Sequence, residues 1–332
     1  MQNLIFKLAL FFYIIIPIVI TTAHVKYVVD QENFSKHSGY DINFFLPALN
    51  FYNILIAISV IIIIAIIYIG FKRTTFVKNI YNNILNKQKE YSNLFPWMLR
   101  LSIGISLIGS GINNVLLSPA LPMENSFSFV QILLGFALLI GFPIFIATAM
   151  SIVLYFIALS KNFYTLGNLE ILGMLIVLLL SKNSTPGLED LLNIKIWPLK
   201  INIEKFLPLI LRISLGGALI FLGLYEKILN PYVASLVVEK YNLTALIPVN
   251  KETWVLVAGL IELIAGLLII LGLHTRVIVT VTFVILTLSF FYFQEEVYSH
   301  ITLFCALSIL FVTGGGYLSL DSYLTKNKNQ NG

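Results

Sequence analysis

The chain has 332 residues, of which 58% are hydrophobic and only 11% are charged. Soluble globular domains average roughly 45–50% apolar and 25% charged residues, so both a soluble fold and a disordered chain are excluded. The net charge of +5 comes from residues scattered between apolar runs, which excludes a nucleic-acid-binding module. The composition therefore predicts an integral protein of the lipid bilayer.

Apolar runs of about 20 residues, the length of a membrane-spanning helix, follow one another along the chain. We predict an all-α polytopic membrane protein with about ten transmembrane helices, because the alternating pattern of barrel strands is absent. The runs cover residues 4–22, 46–70, 96–117, 126–142, 143–160, 165–181, 207–229, 253–273, 276–293 and 297–316.

The first two runs predict an N-terminal transmembrane helix pair at residues 1–70. An apolar stretch at 8–20 followed by Ala23 also fits a cleaved signal peptide, although its length and Pro17 favour a retained anchor. Residues 71–95 place spaced apolar side chains among Lys and Asn. This pattern predicts a cytoplasmic amphipathic linker on the membrane surface, with a plain polar linker as the alternative.

The basic residues predict an orientation, since cytoplasmic loops carry an excess of Lys and Arg. If the segment after the second run, with Lys72 and Arg73, lies in the cytoplasm, most of the 21 basic residues fall on that side. We therefore expect an integral cell-membrane protein with its N- and C-termini in the cytoplasm.

An internal similarity predicts two tandem four-helix bundles, at residues 96–192 and 207–324. Glycines recur on one helix face in both, where close packing against a neighbouring helix is their expected role. The aligned pairs are Pro96 with Pro208, Arg100 with Arg212, Gly104 with Gly216, Gly111 with Gly223, Gln131 with Glu262, Gly135 with Gly266, Gly141 with Gly272, and Asp190 with Asp321.

Glu262 is the strongest candidate for a functional residue, because it lies at the centre of the 253–273 run and no membrane surface explains it. The alternative is a structural hydrogen bond to a neighbouring helix. In the first copy the aligned position is the neutral Gln131, and the remaining buried charge is Glu170.

Further polar residues near the ends of the runs complete the candidate site. Lys227 and His300 join Glu262 as catalytic candidates, while Arg212, Glu226 and Arg276 are the candidates for binding a cofactor. Each has a structural alternative: a lysine can extend to the interface, arginines anchor the membrane surface, and a histidine near a helix end is often structural. One cysteine and four scattered histidines provide no metal or haem motif.

The second copy resembles the DoxX/DoxD superfamily of four-helix membrane proteins. The resemblance rests on LRISLGGALIFLGLYEK at 211–227, GLIELIAGLLIILGLHTR at 259–276 and TGGGYLSLD at 313–321. The first copy resembles the family only through PWMLRLSIG and LLGFALLIGF, and it departs from the pattern at Gln131 and at Ile144-Phe145. The resemblance implies four-helix bundles and places the site in the second copy.

The resemblance implies two kinds of function. The DoxD branch resembles the membrane subunit of a thiosulfate:quinone oxidoreductase, in which Lys227 and His300 would attract an oxyanion and Glu262 would accept a proton from a quinol. Other relatives resemble assembly factors, chaperones or scaffold subunits that pack on client helices. We therefore expect either a quinone cofactor with partner redox subunits or a non-enzymatic membrane partner, with a small-solute carrier as a further alternative.

Overall fold

The computed structural model describes residues 39–53, 90–122, 125–181, 186–194 and 205–324, together with residues 25, 55, 83, 86 and 87. Within these residues the regular structure is helical and no strand is present, so the predicted all-α fold is confirmed. The α-helices, apart from the single turn Leu188–Leu191, are α1 (Phe95–Ile112), α2 (Asn125–Ile140), α3 (Ile144–Lys161), α4 (Leu169–Leu180), α5 (Leu207–Phe221), α6 (Pro231–Lys240), α7 (Lys251–Leu271), α8 (Thr275–Phe293) and α9 (Val297–Thr313).

Six helical segments of the described residues are long and apolar enough to cross a membrane. Two shorter apolar helices, Phe127–Ile140 and Val297–Thr313, correspond to two further predicted runs. The run 4–22, most of 46–70 and most of the amphipathic segment 71–95 lie outside the described residues. The count of about ten helices, the signal-peptide alternative and the amphipathic helix therefore stay predictions.

The structure divides into two compact units, of which the first comprises Met1–Tyr91 and Gly223–Ile261. Its described part includes α6, which lies between the predicted runs 207–229 and 253–273. A 3₁₀ helix at Ile42–Leu49 is capped by Asp41, whose Oδ1 accepts a hydrogen bond from the backbone N of Asn43 at 2.9 Å.

Side-chain hydrogen bonds connect this 3₁₀ helix with the rest of the first unit. Tyr232 Oη donates to Asp41 Oδ2 at 2.8 Å, and the Tyr232 ring contacts Phe44 edge to face at 4.8 Å. Asn53 Nδ2 donates to Thr253 Oγ1 at 2.7 Å. These contacts hold residues 39–53 against α6 and the start of α7.

The second unit comprises Ser92–Leu222 and Glu262–Gly332, and it is a packed helical bundle. Neighbours in sequence pack together, with α2 contacting α1 and α3, α3 contacting α4, and α8 contacting α9. Two further contacts join distant segments, since α1 packs on α9 and α5 packs on α4. The first helix of each predicted copy thus contacts the fourth helix of the other.

Glycines permit the closest helix approaches in this unit. A Cβ atom added to Gly104 would lie 2.9 Å from the carbonyl oxygen of Gly135, and one added to Gly216 would lie 2.6 Å from that of Gly266. Both distances are shorter than packed atoms allow, so only glycine fits. The predicted role of these glycines in helix packing is confirmed.

Candidate functional site

Arg212 has a fully buried side chain that contacts three segments of the second unit. Its Nη1 donates to the carbonyl oxygen of Ile270 at 3.2 Å, near the end of α7. Its Nη2 donates to the carbonyl oxygens of Tyr317 and Leu318, both at 3.1 Å. The guanidinium group therefore satisfies carbonyls that a helix end and a glycine-rich turn leave without partners.

Gly272 makes room for this arginine where the chain leaves α7. Its φ angle is +65°, and a Cβ atom there would overlap the guanidinium group of Arg212. Both facts require glycine at this position.

Asp321, which follows α9 near the C-terminus of the chain, caps the start of α8. Its carboxylate accepts hydrogen bonds from the backbone N of His274 at 2.8 Å and of Thr275 at 2.9 Å. A negative charge at a helix N-terminus also interacts favourably with the helix dipole. We refer to the contacts among Arg212, Gly272, Thr275 and Asp321 as the Arg212 cluster.

Arg276 likewise binds backbone carbonyl oxygens. Its Nε donates to the carbonyl oxygen of Phe311 and its Nη2 to that of Val312, both at 3.0 Å. Because these carbonyls belong to the last turn of α9, the side chain connects the start of α8 with the end of its neighbour. The cofactor-binding roles of Arg212 and Arg276 stay predictions, and the structure gives both residues a structural role.

The first predicted copy contains a similar arrangement around Arg100. Its Nε donates to the carbonyl oxygen of Leu138 at 3.0 Å and its Nη1 to that of Pro186 at 2.9 Å. Glu189, rather than the aligned Asp190, accepts from the backbone N of Ile144, at 2.7 Å, and caps α3. The sequence alignment places Asp190, the next residue, opposite Asp321.

Residues 207–295 match the family model described as DoxX. This segment is a DoxX domain. Its boundaries include Arg212, Gly272 and Arg276, whereas their partners in the chain after α9 and in the last turn of α9 lie beyond its end. No curated protein and no solved structure matches the chain. With its apolar helices, the DoxX domain identifies an integral membrane protein.

Glu226 and Lys227 lie in a π-helical segment, Leu222–Ile228, that continues α5. Both side chains are buried in the first unit, and Lys227 Nζ lies 3.6 Å from Glu226 Oε2. The same carboxylate oxygen accepts a hydrogen bond from the backbone N of Val25 at 3.2 Å. π-Helical turns often occur at functional sites, and no sequence signal indicated this one.

His300 belongs to the second unit and forms a buried ion pair with Glu295, with 2.8 Å between Nε2 and Oε2. Ser299 Oγ donates its single proton to the carbonyl oxygen of Glu296 at 2.6 Å. The same Oγ lies 2.8 Å from His300 Nδ1, so Nδ1 must be the donor in this contact. The Nδ1 atom therefore carries a proton, and Nε2 faces the carboxyl group of Glu295.

Glu262 lies halfway along α7 in the second unit and is only 4% exposed. Its aligned residue, Gln131, is fully buried and bridges α1 and α2. The Gln131 amide donates to Ser110 Oγ at 2.6 Å and accepts from the backbone N of Leu117 at 3.1 Å. The neutral counterpart thus has a structural role, and the functional role of Glu262 stays a prediction.

Glu170 is a buried acid that we did not select as a candidate from the sequence. It is fully buried near the start of α4, and Thr302 Oγ1 donates to its Oε1 at 3.1 Å. The position of Glu170 within an apolar run indicates burial, but its partner Thr302 lies on α9, which is distant in sequence.

An open groove of about 450 Å³ lies on the surface of the second unit. Its walls are mainly apolar, with Ile105, Phe136, Leu139 and Tyr298 among them, and Glu296 is the charged residue that lines it. None of the predicted site residues lines this groove.

Proposed function

We propose that this DoxX-domain protein is a structural membrane subunit that packs against partner membrane proteins and has no catalytic centre of its own. One observation carries the proposal: the basic residues predicted to bind an anion or a cofactor are engaged in contacts within their own unit. Arg212 and Arg276 donate to helix-end carbonyls. An oxyanion would have to share these guanidinium groups with the carbonyl oxygens that they already bind.

The remaining two basic candidates support the same interpretation. Lys227 lies beside the carboxylate of Glu226, and His300 beside that of Glu295. Each carboxylate offsets the charge of its partner, so an incoming thiosulfate would have to compete with a buried anion. This balance favours a role for these groups in stabilising the bundle.

A second candidate function is the membrane subunit of a quinone-linked, thiosulfate:quinone-type oxidoreductase. The observation that favours it is the burial of a carboxyl group, Glu262, in the middle of α7 within the DoxX domain. A carboxyl group at that depth is suited to accept a proton from a quinol. Quinone binding and partner redox subunits belong to this proposal.

The two functions are separated by purifying the whole protein from membranes in mild detergent. A structural subunit is expected to co-purify with another membrane protein in fixed ratio, to show no reduction of a quinone analogue by thiosulfate, and to retain its partner in the Glu262→Gln variant. Thiosulfate-dependent quinone reduction that Glu262→Gln abolishes would overturn this proposal in favour of the oxidoreductase.

A control variant makes the comparison specific. Glu239→Gln removes a carboxylate that is half exposed and pairs with Lys251, so neither function predicts an effect. Substrate-dependent uptake into liposomes containing the pure protein would contradict both proposals and indicate a solute carrier.

A further inference from the structure

Glu170 is the second residue of α4, within the candidate membrane span Phe163–Leu180. Its exposed fraction is 0%, so no part of the carboxyl group reaches water or lipid headgroups at the surface of the bundle. A charge in this position would depend entirely on the protein for stabilisation.

The donors around Glu170 are few and neutral. Thr302 Oγ1 donates to Oε1 at 3.1 Å, and the backbone N–H of Glu170 itself and the side chain of Asn168 also approach the carboxyl group. The other oxygen, Oε2, makes no hydrogen bond. Tyr155 lies nearby, but its hydroxyl proton is donated to the carbonyl oxygen of Thr165 at 3.1 Å.

The described cations of the second unit have other partners. Arg100, Arg212 and Arg276 donate to backbone carbonyls, and His300 pairs with Glu295. Lys161 and Lys205 lie over the rings of Phe127 and Tyr317. The ion pairs found among the described residues do not include Glu170, so no cation in that part of the chain compensates a charge on this carboxyl group.

The two opposing electrostatic effects differ in size. The dipole of α4 favours a negative charge near its N-terminus, but this effect is small compared with the loss of hydration of a fully buried, unpaired carboxylate. Burying a neutral hydroxyl without an acceptor is much less unfavourable than burying a charge. Burial without a counter-charge therefore shifts the balance towards the neutral acid.

We propose that Glu170 is a proton-binding site inside the bundle, at which the protein holds a neutral carboxylic acid. The hydrogen bonds assign the proton to Oε2, because Oε1 accepts from Thr302 and therefore serves as the carbonyl oxygen. The proton leaves only when water or a base reaches Oε2, so a rearrangement of α4 or α9 controls its exchange. This inference does not depend on either proposed function.

Infrared spectroscopy of the full-length protein in lipid at neutral pH tests the proposal. The carbonyl stretch of a protonated carboxylic acid is expected in the wild type and absent, in a difference spectrum, from Glu170→Gln. Glu189→Gln is the matched control, because it also removes one carboxyl group, at the start of α3, and should leave the acid band of Glu170 unchanged. Equal spectra of the wild type and Glu170→Gln would overturn the proposal.

A second variant tests the protonation of Glu170 if the Glu170→Gln protein does not fold. Thr302→Val keeps the shape of the side chain but removes the donor to Oε1. A hydrogen bond weakens the carbonyl bond, so its loss is expected to move the acid band of Glu170 to higher frequency without abolishing it. A band at the wild-type frequency in Thr302→Val would contradict the assignment.

Discussion

At the scale of single residues, charge in this protein is compensated locally. Basic groups bind either helix-end carbonyls, as Arg212 does, or a neighbouring acid, as His300 does. Bilayers provide no water to solvate a charge, so each buried ion needs its own partners. The stability of the bundle should therefore depend strongly on both members of each buried pair.

The His300–Glu295 pair provides a direct test of this dependence. Replacing either residue alone with Gln leaves the other without its partner, and we expect each single variant to lower the free energy of unfolding by about 3 kcal/mol. The double variant should lose less than the sum of the two. Denaturant unfolding of the purified protein, followed by circular dichroism, measures all three values.

The exposed pair of Glu239 and Lys251 is the control for this double-mutant cycle. Water screens both charges there, so Glu239→Gln should change the free energy of unfolding by at most about 1 kcal/mol. Additive losses at Glu295 and His300 would show that the two groups do not interact in solution.

At the scale of helices, close approach is set by small residues on defined faces. Gly216 on α5 faces the backbone of Gly266 on α7, and Gly104 on α1 faces that of Gly135 on α2. In membranes such contacts contribute van der Waals attraction, which replaces the hydrophobic effect as the force between helices.

Two adjacent glycines of α5 allow a matched comparison. Gly216→Ala would place a Cβ atom 2.6 Å from a backbone oxygen, so we expect a loss of about 1–3 kcal/mol in unfolding free energy. Gly217→Ala meets only the terminal methyl group of Leu169, which can move, and should cost much less. Thermal unfolding of both variants in detergent provides the measurement, and equal losses would disprove the packing argument.

Residues 39–53 are held against α6 by the hydrogen bond between Tyr232 and Asp41, and this bond depends on pH. The hydrogen bond from Tyr232 holds the pKa of Asp41 below its ordinary value, and the same bond raises the pKa of the Tyr232 hydroxyl. A depressed carboxyl pKa adds stability above the ordinary value of 3.8, and this contribution is lost as the pH falls through the folded-state pKa. On the alkaline side, the raised tyrosine pKa adds stability below 10.0 that is lost as the pH rises through its folded value.

The variant Tyr232→Phe is expected to remove this bond and to increase hydrogen exchange at the backbone N of Asn43. The difference from the wild type should be present at neutral pH and disappear in acid, once Asp41 is protonated in both proteins. A difference that persists unchanged below the folded-state pKa of Asp41 would assign the effect to ring packing on Phe44.

At the scale of the whole molecule, the orientation in the membrane is a prediction from the basic residues. Cys305 is the only cysteine and is buried, so the Cys305→Ser chain is a clean background for labelling. A membrane-impermeant maleimide is expected to label Ala245→Cys in intact cells, and Lys205→Cys only after permeabilisation. The reverse pattern would place the termini outside the cytoplasm.

The sequence was sufficient to predict the helical fold and the packing glycines. It did not predict the partners of His300, the acid of the first copy that caps α3, or the hydrogen bond from Thr302 to Glu170. Helical spacing indicates which face and which depth a residue occupies. The identity of a partner depends on which helices pack together, and that is decided by the tertiary fold.

The contacts of α1 with α9 and of α4 with α5 have a consequence for biosynthesis. The ribosome synthesises α1 long before α9. Until α9 is inserted, α1 is therefore surrounded by lipid or contacts another helix temporarily. Insertion and assembly are then separate events in time. A chain truncated before α9 would insert into the membrane but lack the helix that packs against α1. The presence of α9 is therefore the feature by which cellular quality control could distinguish complete from incomplete protein.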